Sequence, residues 1–150
     1  MNANVGLRNI YPGHIYKSSR ITVTEAHIVL FAGLSGDFNP LHMDATSASD
    51  NGYGRRIAHG MLGHSISTGL RSGMDDWKIV AFLETRRKFV APIMIGDTIH
   101  FRATVAEARP SRSGKPFGVV RVEIEMLNQA DQVVQSGEDT FAVLDDGEST

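Results

Sequence analysis

The chain has 150 residues, with 15 basic and 17 acidic side chains, a formal net charge of −2 and no cysteine. That length suits one domain able to bury about 68–70% of the surface its unfolded form exposes, without help from a disulfide or a metal. The lack of cysteine excludes a disulfide scaffold, a thiolate nucleophile and any cysteine-ligated zinc or iron–sulfur site, and the near balance of charge leaves no basic excess to neutralise a nucleic-acid backbone.

Residues 1–14 hold no apolar core of signal-peptide length. The longest apolar run, 28–34, is far short of the roughly 20 residues that span a bilayer. The expectation is therefore a single cytoplasmic domain over 1–150, its core at about 14–144, with neither nucleic acid nor membrane as partner. The polar tail, 145–150, is expected to fray.

The first structured segment is expected to be a strand over 14–23. Thr24 is a good N-cap for a helix over 25–35, Glu25 in its first turn suits the helix dipole, and Gly36 is a natural terminator. That helix is apolar almost all round from Ile28 to Leu34, which predicts that it is well buried. In Asp37-Phe-Asn-Pro-Leu-His42, Pro40 pushes Asn39 toward an extended conformation, so Asp37 and His42 are expected on an ordered turn and not on a continuing helix. A short helix over 45–49 and a loop over 50–54 follow.

Residues 60–70 carry no formal charge unless His64 is protonated. Leu62, Ile66 and Leu70 recur at helical spacing. Gly63, Ser65, Ser67 and Gly69 are small, and Gly costs about 1 kcal/mol relative to Ala inside a helix. Such a helix makes sense only if it is enclosed and other backbone approaches it closely.

The second half changes period. Ile99, Phe101, Ala103 and Val105 alternate with Thr98, His100, Arg102 and Thr104; Val120, Val122, Ile124 and Met126 alternate with charged residues. This is a sheet with one buried face. Strands are predicted over 79–90, 98–108, 117–128 and 133–144, with turns at 95–97 and 128–131 and a loop at 111–116. Strand, helices, then antiparallel strands make an α+β fold in which the sheet covers one apolar helix.

Asp37 and His42 are the most suggestive pair, because a carboxylate and an imidazole converging on one water make an acid–base site. From spacing alone, the simpler reading is that Asp37 caps the turn and His42 is a satisfied core or surface histidine. His59-Gly60 opens the uncharged helix, where free backbone N–H groups could polarise a carbonyl; that Gly60 merely allows a tight turn is an equal reading. No metal is expected: His59 and His64 are five apart, wrong for two ligands on one helical face, and nucleotide-loop and serine-elbow motifs are absent. Arg86, Arg87 and Lys88 read first as a solvated strand face, and second as a clamp on the phosphates of an acyl carrier.

Phe31-Ala-Gly-Leu-Ser-Gly-Asp-Phe-Asn-Pro-Leu-His-Met-Asp44 closely resembles the signature of the MaoC-like, (R)-specific enoyl-CoA hydratases. Ile57-Ala-His-Gly-Met-Leu62 resembles that family's second block, and Phe89-Val-Ala-Pro-Ile-Met-Ile-Gly-Asp-Thr-Ile99 its third. The resemblance implies a single hotdog fold, a long central helix wrapped by an antiparallel sheet of about five strands. It also implies a homodimer or higher homo-oligomer. The implied reaction is reversible syn hydration of a trans-2-enoyl thioester of coenzyme A or an acyl carrier protein, giving an (R)-3-hydroxyacyl thioester without metal or other cofactor.

By the same resemblance, Asp37 and His42 are the catalytic pair that holds the water, one taking its proton while the other delivers a proton to C2. Asn39 organises the turn, Gly60 supplies the backbone N–H to the thioester carbonyl, Thr68 lines the site and His59 supports it. Arg56, where many relatives have Pro, and His64, polar within the apolar helix, depart from the pattern and bear on the acyl pocket. Two alternatives are a hotdog thioesterase, disfavoured because 60–70 contain no Asp or Glu, and a non-catalytic acyl-CoA-binding module, disfavoured by retention of both Asp37 and His42.

Overall fold

The computed structural model describes residues 4–145; the tail expected to fray lies, apart from Asp145, outside them. Four strands dominate: β3 (Ile79–Phe89), β4 (Thr98–Arg109), β5 (Phe117–Leu127) and β6 (Val133–Leu144). They join β1 (Ile15–Lys17) and β2 (Ile21–Thr22) in a six-stranded antiparallel sheet of order β1-β4-β5-β6-β3, with β2 also paired to β4. The single strand expected over 14–23 is thus two short ones. At the break, Ser18 Oγ accepts a hydrogen bond from Phe101 N–H (2.8 Å) and Ser19 N–H turns to the carbonyl of Arg71 (2.7 Å).

The ordered chain also begins earlier than the periodicity suggests. A 3-10 turn, Leu7–Asn9, places Leu7 and Ile10 in the core. Their side chains pack with Val105, Val120 and Val143. No period of 2 or 3.6 marks so short a segment, which is why a pattern search passes over it.

The alternation in β4 and β5 sorts as expected. Ile99, Phe101, Ala103 and Val105 are buried, as are Val120, Val122, Ile124 and Met126. Helix α4 (Gly60–Gly69) lies against them. Its i, i+4, i+8 row spans two core clusters: Leu62 sits in the cluster of Val23, Ile28, Ile93 and Val134, Leu70 sits in that of Met74, Trp77 and Phe101, and Ile66 packs against both. This is the hotdog arrangement, a central helix held on one face of an antiparallel sheet.

Helix α1 (Glu25–Ser35) follows Thr24 as its N-cap and stops at Gly36, whose φ is 77°. The expectation that it is well buried fails. Only Ile28 and Ala32 are buried, while Leu30 and Leu34 are 72% and 85% exposed. One stripe of the helix suffices to reach the core of a single chain, and nothing among the described residues covers Leu30 and Leu34 on the other stripe. The turn after α1 also differs from expectation. Pro40 opens a one-turn helix, α2 (Pro40–Met43), so His42 is helical. Proline's fixed φ and missing N–H are suited to the first helical position, and Asn39 before it is extended (φ −53°, ψ 134°). Helix α3 (Ala45–Ala48) comes next, capped by Asp44.

The three adjacent cations of β3 divide. Arg86 pairs with Glu138 on the outer face. Arg87 turns inward with its side chain only 4% exposed and holds Asp139 through two hydrogen bonds of 3.0 and 2.9 Å. Thr85 Oγ1 donates to the same carboxylate (2.7 Å), and Arg87 Nε–H donates to His64 Nδ1 on α4 (2.8 Å). The solvated-face reading therefore fails for Arg87, which ties α4 to the sheet. Removing one partner of a buried ion pair strands the other, so Asp139→Ala should lower stability by about 3–5 kcal/mol, measured by urea unfolding.

His64 must stay neutral to accept from Arg87. Burial first, and then the Arg87 charge, hold its pKa below the ordinary 6.5, with Asp139 opposing. A depressed folded-state pKa means stability that is present above pH 6.5 and lost as pH falls below it, because the unfolded chain then binds the proton more readily. The urea midpoint should drop between about pH 7.5 and about pH 5.5, and His64→Gln should flatten that slope.

Candidate active site

Each functional side chain is placed by local chemistry. Ser35 Oγ accepts from Asp37 N–H (3.1 Å), Asp37 Oδ1 accepts from Asn39 N–H (3.2 Å), and Asn39 Oδ1 accepts from Leu41 N–H (2.9 Å). This relay of side-chain-to-backbone bonds sets the turn and delivers His42 one helical turn beyond Asp37. Asn39 thus shapes the turn through its backbone bonds.

His42 Nδ1 lies 2.7 Å from the carbonyl of Ile57. A carbonyl only accepts, so Nδ1 carries the proton and Nε2 is the working nitrogen. Nε2 stands 3.9 Å from Asp37 Oδ2. That gap is too wide for a direct hydrogen bond and short enough for one water to touch both groups at about 2.8 Å. The Asp37 side chain is half exposed, while that of His42 is nearly buried.

His59 organises both. Its ring stacks on His42, with centroids 3.9 Å apart and planes at 28°, and packs on its other neighbour Phe31 at 5.0 Å. Its Nε2–H donates to the Asp37 carbonyl (2.9 Å) and its Nδ1 is buried without a partner. Asp37, His42 and His59 each bring a ligand-type atom within 4.8 Å of the others. A cation there would need His59 to give up its bond to Asp37 or to turn its buried Nδ1 outward.

The backbone donors come from α4. Asn39 and Asp44 cap their helices with side-chain oxygens, but His59, the N-cap of α4, makes no side-chain cap hydrogen bond. The first N–H groups of a helix have no intrahelical acceptor. Gly60 and Met61 therefore present donors, backed by the helix dipole, beside His42. A Cβ on Gly60 would meet the ring of Phe89 at 2.8 Å, so glycine is what lets the helix start this close to β3. His42, Gly60 and Met61 also line a largely apolar cavity of about 360 Å³ with Tyr53, Phe89 and Ile93.

The structure brings Asp37, His42, His59 and Gly60 together. It does not bring Thr68 with them: eight residues along α4 is about 12 Å. Thr68 Oγ1 donates to the Ser65 carbonyl (2.7 Å), and the residue lines a separate cavity with Trp77, Phe82 and Phe141. Arg56, in the place of a proline, makes a two-pronged pair with Glu25 (2.9 and 2.5 Å) and donates to the His42 carbonyl (3.4 Å). That bond to Arg56 holds the Glu25 carboxyl below its usual range. Arg56 thus fastens α1 to α2 and braces the turn from behind. Sequence reading missed Gln135, which reaches the site from β6; β6 carries several polar residues, so nothing in its local pattern singles Gln135 out.

Comparison with known proteins bears on the family and the fold. A family model described as "MaoC like domain" matches residues 10–126. The chain is 34% identical over 122 residues to an (R)-specific enoyl-CoA hydratase of Rhodospirillum rubrum, covering 81% of each. Among solved structures, one of a monoamine oxidase regulatory protein from Archaeoglobus superposes with a TM-score of 0.87 at 30% identity, covering 98% of this chain and 100% of that one. A MaoC-like dehydratase from Rhodospirillum rubrum gives 0.81 at 27%, covering 94% and 97%. With a match over most of its length and the same fold, the chain belongs to the MaoC-like domain family.

Proposed function

We propose that this protein catalyses the reversible hydration of trans-2-enoyl thioesters to (R)-3-hydroxyacyl thioesters, carried by coenzyme A or an acyl carrier protein. The observation that carries the reading is the 3.9 Å gap between His42 Nε2 and Asp37 Oδ2, beside the uncapped start of α4. In hydration, the thioester carbonyl lies against the Gly60 N–H. Asp37 holds one hydrogen of the water, and His42 Nε2 takes the other as the water oxygen bonds to C3. The C2–C3 π electrons shift toward C1, and the charge on the thioester oxygen is held by the backbone donor. The enolate then collapses and C2 takes the proton from the His42 imidazolium, whose Nδ1–H stays on the Ile57 carbonyl. Because oxygen and proton both come from the Asp37–His42 side, the addition is syn. Dehydration is the same path reversed. The step needs neither metal nor redox cofactor.

A thioesterase would need a carboxylate aimed at the carbonyl from α4, and α4 has none. The curated hydratase relative supports hydration over that alternative.

A second copy of the chain completes this reading. Strand β3 is the edge of the sheet, and all its residues are exposed except one of intermediate burial. Val80, Phe82 and Leu83 on it, with Leu30, Leu34 and Phe38 near the site, leave more apolar surface open than a lone chain tolerates well. The apolar edge strand and the apolar stripe of α1 together support self-association as what covers this surface.

Two measurements test these statements. Loss of enoyl-thioester absorbance with crotonyl-CoA and longer homologues should be rapid, and Asp37→Asn or His42→Ala should each slow it by about 10²–10⁴-fold. Near-wild-type turnover in either variant would refute the mechanism. Light scattering should give a mass of at least twice 16.4 kDa, and Leu30→Asp with Leu83→Asp should reduce it to one chain; a monomeric wild-type protein would sink the self-association.

A further inference from the structure

Gln135 is 1% exposed and follows Val133 and Val134 in β6. It pairs across the sheet with Phe89 on one side and Met126 on the other. Its Nε2–H donates to the Gly60 carbonyl at 2.9 Å, while its Oε1 is buried without a partner. The amide orientation is dictated by chemistry, because only the NH2 end can face a carbonyl. An unsatisfied buried acceptor costs about 1–3 kcal/mol, which Leu or Met at this position would avoid. The helix is also shaped to admit this amide. A Cβ on Gly63 would lie 2.8 Å from Gln135 Nε2 and 2.5 Å from Ile93 Cδ1. The first turn of α4 is therefore seated on two cross-strand neighbours, the Phe89 ring under Gly60 and the Gln135 amide on its carbonyl.

We infer that Gln135 is a positioning residue for the backbone donors at the start of α4. The inference rests on the reading of that helix start as the site of the thioester carbonyl. A hydrogen bond to the Gly60 C=O polarises the peptide unit it belongs to, whose other end is the Met61 N–H, so that donor is strengthened. The same bond fixes the tilt of the first turn and with it the direction of the Gly60 N–H. Both effects matter most when negative charge builds on the thioester oxygen and less when the neutral substrate binds. Gln135 therefore acts on kcat and leaves KM nearly unchanged.

The test uses Gln135→Met, which keeps the side chain's length without the donor, and Gln135→Glu, which donates to Gly60 only while protonated. Gln135→Met should lower kcat by about 10–100-fold, less than the 10²–10³-fold loss for deleting a donor itself, with KM changed less than about threefold. The Gln135→Glu to wild-type activity ratio should fall as pH rises, through an ionisation absent from the wild type. A packing role alone would give lost stability with kcat intact, or a pH-independent ratio, and either result overturns the proposal. An independent readout is the Gly60 carbonyl ¹³C and Met61 amide chemical shifts, which should both move in Gln135→Met; unmoved shifts overturn it whatever the activity. A wild-type protein that hydrates no enoyl thioester would overturn the hydratase reading, and with it the catalytic role of Gln135, while moved shifts would still report the bond itself.

Discussion

The close approach of α4 to the edge of the sheet is the constraint on which this molecule depends. Gly60 against the Phe89 ring and Gly63 against Gln135 and Ile93 leave no room for a Cβ. A helix that carries Gly at such positions gives up about 1 kcal/mol of propensity at each, and here tertiary contact replaces it. The apolar row Leu62, Ile66, Leu70 joins two core clusters, and two buried polar links fasten the helix to strands: Gln135 to the Gly60 carbonyl and Arg87 to His64. The first link seats the helix start beside His42, and the second holds the middle of the helix.

The candidate site is built almost wholly from backbone and local capping chemistry. Ser35, Asp37 and Asn39 hand hydrogen bonds along the turn, and the Ile57 carbonyl selects which imidazole nitrogen of His42 is free. His59 stands between Phe31 and His42 and bonds to the Asp37 carbonyl, so its single ring braces both members of the pair. Arg56 clamps Glu25 and the His42 carbonyl from the opposite side. A departure from the family pattern at that position therefore serves rigidity behind the turn. His64 likewise serves an internal link, to Arg87.

Much of the fold was legible because it follows short periods. The twofold alternation of β4 and β5 and the helical row of α4 are set within a dozen residues, and the structure buries the residues those patterns mark. The turn from Asp37 to His42 was legible for a related reason, since proline and Asn–Asp capping act over two to four residues. The misreadings also have local causes. A nearly continuous apolar run in α1 says that the helix meets apolar surface, but not whether its own chain supplies that surface on every side. Pro40 was read as a helix breaker when it stands at the one helical position that suits it.

The sequence by itself determined the fold class, the strand and helix periods, and the grouping of Asp37, Asn39 and His42 on one rigid turn, because each of these is encoded in neighbouring residues. Only the tertiary structure decided which polar groups are buried and to what they bond. Gln135 meets Gly60 across 75 residues of chain, and Arg87 meets Asp139 across 52. It also decided that Thr68, on the same helix as Gly60, faces a different cavity. Pairings over such separations depend on how the sheet and helix pack as whole bodies, and no local pattern of residue types carries that information.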